Sequence, residues 1–202
     1  MAIEPAAAPR HRAAIAALEL TGAEQVLEIG CGHGVAARLA LALLPAGRLV
    51  ALDRSPKMIA ALAAAAPEAI AAGRLVLRAE PLEDADWHGE RFNAIYAVNV
   101  DLNRRLGERW PPLLRSLLHP AGRLVLAFDP PPGSAAGADV ARLTRDRLHR
   151  AGFRVETRTD GRVTVLIAGP SSGGAGRTEA LTPRPSNRGR AHAAPGPDRG
   201  RA

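Results

Sequence analysis

The chain has 202 residues, of which 47% are apolar, with a single cysteine and a formal net charge of +7. This length allows one domain with a proper core and some surplus, and a lone cysteine excludes an internal disulfide, which fits a reducing cytosol. No apolar stretch approaches the roughly 18 residues that span a membrane, and residues 1–12 lack the apolar core of a signal peptide. We therefore expect a cytoplasmic protein without a membrane segment.

The positive charge is unevenly distributed along the chain. Residues 169–202 hold six arginines and two acids, so 21 basic and 18 acidic residues precede them. Lys57 is the only lysine, and this arginine bias is explained more simply by a GC-rich genome than by a nucleic-acid-binding face. The charge by itself therefore does not indicate a nucleic-acid partner.

Hydrophobic periodicity predicts alternating helices and strands over most of the chain. The predicted helices cover residues 10–20, 35–44, 56–66, 106–118 and 139–150, and the predicted strands cover residues 26–29, 48–52, 74–77, 92–98, 123–128, 153–159 and 162–168. Ser55 before Pro56 resembles an N-cap followed by the first helical position. Pro111-Pro112 breaks the fourth helix, and Pro120-Ala121-Gly122 is typical of a turn before the fifth strand.

The order of these elements predicts the fold class. Strand–helix alternation is typical of a parallel sheet, whereas Asp160-Gly161 between the last two strands predicts a two-residue hairpin. We therefore expect an α/β fold over residues 1–168, with a doubly wound, Rossmann-like sheet that is mostly parallel and ends in an antiparallel C-terminal hairpin strand. Residues 169–202 are rich in Gly, Pro, Ser and Arg and cannot bury enough apolar surface, so we expect a disordered tail.

The most informative stretch is VLEIGCGHG, residues 26–34, where an apolar run ends in alternating glycines. In a parallel sheet this loop lies at the carboxyl ends of the strands, where ligands bind, and glycine allows positive φ and a close approach of the ligand to the backbone. The dinucleotide fingerprint GxGxxG is excluded because position 35 is valine, and no Gly-Lys-Ser/Thr of a phosphate-binding loop follows.

Two acids accompany this loop. Glu28 would repel a pyrophosphate but favours a cationic ligand, while Asp53 follows the second strand, where a carboxylate can accept hydrogen bonds from both ribose hydroxyls. Taken alone, Asp53 could equally begin the turn before Ser55. Together with Glu28 and the glycines, it indicates a site for an adenosyl compound that carries an amine or a sulfonium.

Four stretches, VLEIGCGHG, ALDRSPKMI, FNAIYAVNV and LLHPAGRLVLAF, resemble in order the successive motifs of the class I S-adenosylmethionine-dependent methyltransferases. The resemblance covers roughly residues 12–168. It implies a seven-stranded sheet whose last strand is antiparallel, S-adenosyl-L-methionine as cofactor, and methyl transfer as the activity.

The same resemblance implies roles for individual residues. Glu28, Gly30, Cys31 and Gly32 would surround the methionine part of the cofactor. Asp53 would hold the ribose, and Arg54 and Met58 would flank the adenine. Asn99 would face the methionine end and the transfer site. For the acid at the adenine amino group the stretch RAEPLEDADW offers Glu80, Glu83 and Asp84, of which we favour Glu80.

No general base is identified from the sequence, so the catalytic residues stay unknown. The histidines are interpreted as exposed loop residues or as residues of a terminal helix, a charged helix and the tail: His33, His88, His119, His11, His149 and His192. Asp101 and Asn103 are better placed to meet an acceptor, although a loop-turn role is favoured for both. No cysteine pair indicates a metal site.

The methyl acceptor is expected to be a small molecule. No Asn-Pro-Pro-aromatic motif ends the fourth strand, and no separate acceptor-recognition domain fits beside the short loops. We expect the acceptor to enter beneath a lid made from the N-terminal helix and the loop 129–138. Two alternatives stay open: an RNA or protein methyltransferase that uses the basic tail as a tether, and a non-catalytic module with this fold. The sequence indicates neither the accepting atom nor the oligomeric state.

Overall fold

The computed structural model describes residues 7–130 and 136–171, and within them seven strands alternate with helices. The strands are β1 (Gln25–Ile29), β2 (Arg48–Leu52), β3 (Leu75–Arg78), β4 (Phe92–Val98), β5 (Leu118–Phe128), β6 (Phe153–Asp160) and β7 (Val163–Pro170). The helices are α1 (Pro9–Leu18), α2 (Val35–Ala42), α3 (Pro56–Ala65), α4 (Pro67–Ala71), α5 (Leu102–Leu106), α6 (Trp110–Leu117) and α7 (Ala136–Arg150). None of the helices in these ranges has the length and hydropathy of a membrane span.

The strands form one mixed sheet in the order β3-β2-β1-β4-β5-β7-β6. Strands β1 to β5 pair in parallel, whereas β7 is antiparallel to both β5 and β6. This confirms the predicted Rossmann-like sheet with an antiparallel C-terminal strand. The strand order reverses between β1 and β4, and ligands of such sheets bind at the carboxyl ends of the strands at this switch point.

Two hydrophobic cores cover the two faces of the sheet. Successive side chains of a strand point to opposite faces, so Val26 packs in the core with α1 and α2, while Leu27 and Ile29 pack in the core with α5, α6 and α7. Fully burying one such side chain contributes about 1.5–3 kcal/mol. By the same alternation Glu28 shares the face of Val26.

Two predicted breaks differ from the structure. Pro111 and Pro112 lie in the first turn of α6, where a missing N–H costs nothing because those groups have no intrahelical partner, and the helices separate instead at Gly107, whose φ is +57°. Strand β5 begins at Leu118 and runs through the predicted turn at 120–122. The register shift between Phe92 and Ala94 absorbs the extra residues, because pairing with β4 continues on both sides of it.

The C-terminal hairpin also differs slightly. Asp160 pairs with Val163, so the two-residue turn is Gly161-Arg162, one position later than predicted. Strand β7 continues to Pro170 and pairs there with Phe153, two residues beyond the predicted end of the domain. Residues 172–202 of the predicted disordered tail lie outside the described residues.

Candidate active site

The glycine loop, residues 30–34, connects β1 to α2 at the carboxyl edge of the sheet. Its three glycines have φ of +72°, +51° and +77°, conformations that other residues adopt only with strain. The backbone N–H groups of Gly30 and Cys31 both donate to Leu52 O, at 2.7 and 3.0 Å, which holds the loop against the end of β2. A Cβ at Gly30 would meet Val100 Cγ2 at 2.6 Å, whereas a Cβ at Gly32 would meet no described heavy atom within 4 Å. Gly32 therefore leaves open space at the middle of the loop.

Asp53 fixes this loop relative to β2. Its Oδ2 accepts from the Gly32 N–H and its Oδ1 accepts from the Ser55 N–H, both at 2.9 Å. Ser55 is the N-cap residue of α3 by position, as predicted, but its own side chain makes no capping hydrogen bond. Each Asp53 oxygen has a further lone pair, so the carboxylate can still accept from a ligand hydroxyl.

Glu28 is buried, with 2% of its surface exposed. Burial raises the pKa of its carboxyl to about 8, with Asp53 adding to the effect and the Tyr96 phenol acting in the opposite direction. Glu28 and Tyr96 are close enough for the phenol to affect the carboxyl, but neither Glu28 Oε2 nor the Tyr96 hydroxyl makes a hydrogen bond of good geometry to a described atom. A buried polar atom without a partner is costly, so this carboxyl is suited to a ligand that brings a positively charged donor.

Two cavities adjoin at the glycine loop. We name them after the cofactor parts that the sequence predicts beside them. The adenosine-side cavity, of about 350 Å³, is lined by Asp53, the loop 80–83 and α5. The methionine-side cavity, of about 260 Å³, is lined by Glu28, the glycine loop and the first turn of α1. Gly30, Val98 and Asn99 line both. Glu28 and Asp53 thus line neighbouring halves of one continuous rim, not separate regions of the protein.

The other predicted site residues divide between these cavities. Arg54 and Glu80 line the adenosine-side cavity. Cys31 and Gly32 line the methionine-side cavity, and burial, followed by Glu28 and Asp53, raises the pKa of the Cys31 thiol. Met58 lines neither of the two, and its place beside the adenine stays a prediction.

The three acids that follow β3 differ in their contacts and in whether they line the cavity. Glu80 lies 3.9 Å from Arg78 across a loose ion pair, while Glu83 lines the same cavity but is held by Arg105 at 2.9 Å. Asp84 is absent from the lining of this cavity. Of the two acids that line this cavity, Glu80 is therefore the one with the weaker contact to the rest of the protein.

Asn99 ends β4 in the left-handed region, with φ of +55°. Its backbone N–H donates to Ala127 O at 2.8 Å, and its Oδ1 accepts from the Asp129 N–H at 2.7 Å. The side chain is thus held between the ends of β4 and β5, at the junction of the two cavities.

The two residues after β4 take roles within the fold. Asp101 is the N-cap of α5 and accepts from the Arg104 N–H at 3.1 Å, although it also lines the adenosine-side cavity. The Asn103 amide bonds to Trp110 and Thr144. The loop-turn role that the sequence favoured for both residues therefore describes Asp101. Asn103 instead lies within α5, and its side chain connects this helix to α6 and α7.

Sequence reasoning missed Arg10 and His11, which line the methionine-side cavity from α1. A signal was present: His11 precedes Ile15 by four positions, so helical periodicity places it on the buried face of α1. Arg10 Nη1 lies 3.2 Å from Asp129 Oδ2, which ties the start of α1 to the end of β5. The N-terminal helix, one part of the predicted lid, thus lines the cavity with its first turn, and residues 131–135 of the other part lie outside the described ranges, so the lid stays a prediction. Within those ranges no cluster of His, Cys, Asp and Glu has the form of a metal site.

Comparison with known proteins identifies the domain. Residues 26–122 match the family model of a methyltransferase domain. These residues include most of β1, the glycine loop, Asp53 and β4, which line the two cavities together with the first turn of α1. No curated protein is significantly similar to the chain.

Solved structures share the fold at low identity. A ribosomal protein L11 methylase from Lactobacillus delbrueckii subsp. bulgaricus is 20% identical with a TM-score of 0.61, over 80% of this chain and 77% of that one. A precorrin-6y C5,15-methyltransferase from Geobacter metallireducens is 16% identical with a TM-score of 0.63, over 80% and 87%. An O-methyltransferase family protein from Burkholderia thailandensis is 21% identical with a TM-score of 0.62, over 81% and 56%. Residues 26–122 therefore form a methyltransferase domain, of a family that uses S-adenosylmethionine as methyl donor, and the sheet has the fold of the solved methyltransferases.

Proposed function

We propose that the protein transfers the methyl group of S-adenosylmethionine to a small-molecule acceptor, and that Glu28, Asp53 and the glycine loop hold the cofactor. The observation that carries the proposal is the buried Glu28 Oε2, which has no partner among the described residues and lines a cavity adjoining that of Asp53. A ligand with an amine at one end and a ribose at the other satisfies both carboxylates.

Each residue has a distinct task toward the cofactor. Glu28 accepts from the amino group of the methionine part, with Gly30, Cys31 and Gly32 bringing the backbone close. Asp53 accepts from the ribose hydroxyls, Glu80 from the adenine amino group, and Arg54 and Met58 flank the base. Bound S-adenosylmethionine supplies a methyl group on a sulfonium centre, and aligning an acceptor with it can lower a barrier by on the order of 7–11 kcal/mol.

The small methionine-side cavity supports a small acceptor. It measures about 260 Å³ and is lined by Arg10 and His11 of the first turn of α1, so little space is left for an acceptor beside the methionine part. Two of the structural neighbours are a precorrin-6y methyltransferase and an O-methyltransferase family protein. The cytoplasmic location that the single cysteine indicates stays a prediction.

An RNA acceptor is the second candidate, favoured by a groove between α6 and α7. This groove of about 640 Å³ is lined by Glu108 and four arginines: Arg91, Arg115, Arg147 and Arg150. A guanidinium-rich groove matches the phosphate backbone. Against it, both Arg147 and Arg150 already bond to Glu108.

Radiolabelled methyl transfer separates the two candidates. The full chain is incubated with methyl-labelled cofactor and a cell extract, and unreacted cofactor is removed before fractionation. Label in the low-molecular-mass fraction supports the proposal, and label in the nuclease-sensitive fraction contradicts it. Calorimetry with S-adenosylhomocysteine checks the cofactor site independently of any acceptor.

A further inference from the structure

His11 lies in the first turn of α1 and lines the methionine-side cavity together with Glu28 and Asn99. Its Nδ1 is buried and has no hydrogen-bond partner within residues 7–130 and 136–171. Buried imidazole nitrogens normally find a partner, so this nitrogen is suited to a group that enters the cavity.

The position of His11 is fixed by the packing of α1 on the core and by an ion pair at the start of that helix. Ala14, Ile15 and Leu18, on the same face of α1, are buried in the core. At the start of the helix, Arg10 pairs with Asp129 at 3.2 Å, and the Asp129 N–H donates to Asn99 Oδ1 at 2.7 Å. The imidazole is therefore held by the packed helix α1, and the contacts from Arg10 through Asp129 link the start of this helix to Asn99.

The electrostatic surroundings favour a neutral imidazole. Burial, and then the Arg10 guanidinium beside it, lower the pKa of His11 from its usual 6.5. The charged or titratable residues that line the cavity with it are Arg10, Glu28, Cys31 and His33, and the Asp129 partner of Arg10 also lies 3.5 Å from Arg162. A neutral histidine near physiological pH retains a lone pair that can accept a proton.

We propose that His11 is the general base of this methyltransferase and that its Nδ1 takes the proton of a neutral hydroxyl acceptor. The inference rests on the function proposed above. The acceptor oxygen forms a bond to the methyl carbon as the bond from that carbon to sulfur breaks, and the electron pair of the broken bond stays on sulfur. The hydroxyl proton passes to Nδ1, so the sulfonium charge is replaced by an imidazolium that later releases its proton to solvent.

The charges around His11 select the acceptor class. The Arg10 guanidinium in the same cavity wall disfavours an ammonium acceptor, and a carboxylate or thiolate needs no base. A hydroxyl with a pKa well above neutral, such as a phenol near 10, is the class that requires an unpartnered imidazole nitrogen.

The test compares His11→Gln with the wild type and with His149→Gln, a control on the exposed surface of α7. Calorimetry with S-adenosylhomocysteine comes first, and all three proteins should bind it within about threefold of each other. Methyl transfer is then measured at pH 8 to phenol, which is largely protonated there, and to 4-nitrophenol, which is largely ionised. His11→Gln should lower kcat on phenol by about 10²- to 10⁴-fold and change kcat on 4-nitrophenol little.

A second readout does not depend on turnover. With S-adenosylhomocysteine bound, the imidazole C2 proton of His11, assigned by its loss in His11→Gln, should titrate below 6.5 and shift when phenol is added. Equal losses on both phenols, or a cofactor affinity lowered more than about tenfold by His11→Gln, would overturn the assignment. Wild-type protein that binds cofactor but methylates neither phenol overturns it too, since the acceptor class is then wrong. Failure of the wild type to bind S-adenosylhomocysteine instead overturns the proposed function.

Discussion

Glu28 of β1 and Tyr96 of β4 are register partners in adjacent parallel strands, and each ends in a buried oxygen without a hydrogen-bond partner among the described residues. Both point to the face of the sheet that carries α1 and α2, where Tyr96 is in the core. The fold thus buries the Glu28 carboxyl at the place where the cationic part of the ligand is expected to bind.

Removing the charge of Glu28 should change how stability depends on pH. The folded pKa of about 8 lies above the usual 4.5, so the contribution of Glu28 to the free energy of unfolding is complete below about pH 4.5 and is lost as pH rises through 8. Urea unfolding of the ligand-free wild type at pH 5, 7 and 9 should show this decline, and Glu28→Gln should show a flatter profile. Parallel profiles for the two proteins would contradict the raised pKa.

The same carboxyl should make cofactor binding depend on pH. A bound amine favours ionised Glu28, so the affinity for S-adenosylhomocysteine should rise between pH 6 and 8, and binding should release a proton near neutral pH. Calorimetry in buffers with different ionisation enthalpies measures that proton. If Glu28→Gln released the same proton, another group would be its source.

Gly32→Ala and Gly161→Ala form a matched pair. Both glycines have positive φ, +51° and +56°, and a Cβ at either would meet no described atom within 4 Å. Each substitution should therefore destabilise the protein similarly, by about 1–2 kcal/mol for the left-handed backbone. Only Gly32→Ala should weaken S-adenosylhomocysteine binding, because its methyl group enters the ligand space, and comparable losses of affinity in both variants would remove Gly32 from the site.

Asp53→Ala should weaken cofactor binding and remove the hydrogen bonds that hold the glycine loop in place. It removes the acceptor of the Gly32 and Ser55 N–H groups, and hydrogen bonds to a charged group contribute about 1.5–3 kcal/mol each. We expect cofactor affinity to fall at least about 100-fold in calorimetry. Asp160→Ala, in the exposed hairpin, is the control, and retention of affinity by Asp53→Ala would contradict the site.

The parts of the site that are encoded locally could be predicted from the sequence. A strand that ends in glycines, or in an acid shortly before Ser-Pro, places these residues by backbone rules that need no distant partner, so the position of Glu28, Gly32 and Asp53 at one edge of the sheet could be predicted. The turn expected at Pro120-Ala121-Gly122 falls inside β5 in the structure, in the stretch 119–122 that has no register partner in β4.

The parts that depend on how helices dock could not be predicted. His11 and Arg10 lie about 90 residues or more from Asn99 and Asp129 in sequence, and only the packing of α1 on the sheet brings them together. Periodicity predicts which face of α1 is buried. It does not predict that the first turn of α1 extends past the core to the edge of the sheet.

The assignment of the adenine acid is tested by single amide substitutions. Glu80 lines the adenosine-side cavity with only a loose contact to Arg78 at 3.9 Å, whereas Glu83 is held by Arg105. Glu80→Gln should weaken S-adenosylhomocysteine binding by about tenfold, the value of one good hydrogen bond. Asp84→Asn should change it little, and a larger effect of Glu83→Gln than of Glu80→Gln would reassign the role.

Asn103 should prove to be a stability residue and not an acceptor-binding one. Its Oδ1 accepts from Trp110 Nε1 at 3.1 Å and from Arg147 Nη1 at 2.8 Å, and its Nδ2 donates to Thr144 Oγ1 at 2.6 Å. Since Trp110 and Thr144 are buried, Asn103→Ala leaves polar atoms without partners and should cost about 2–4 kcal/mol in urea unfolding. Asn93→Ala, which removes one exposed bond to the Gln25 N–H, should cost less than about 1 kcal/mol. Because Asn103 itself lines neither cavity, the cofactor affinity of folded Asn103→Ala should stay within about threefold of the wild type. A selective loss of turnover with unchanged stability would instead place Asn103 at the acceptor.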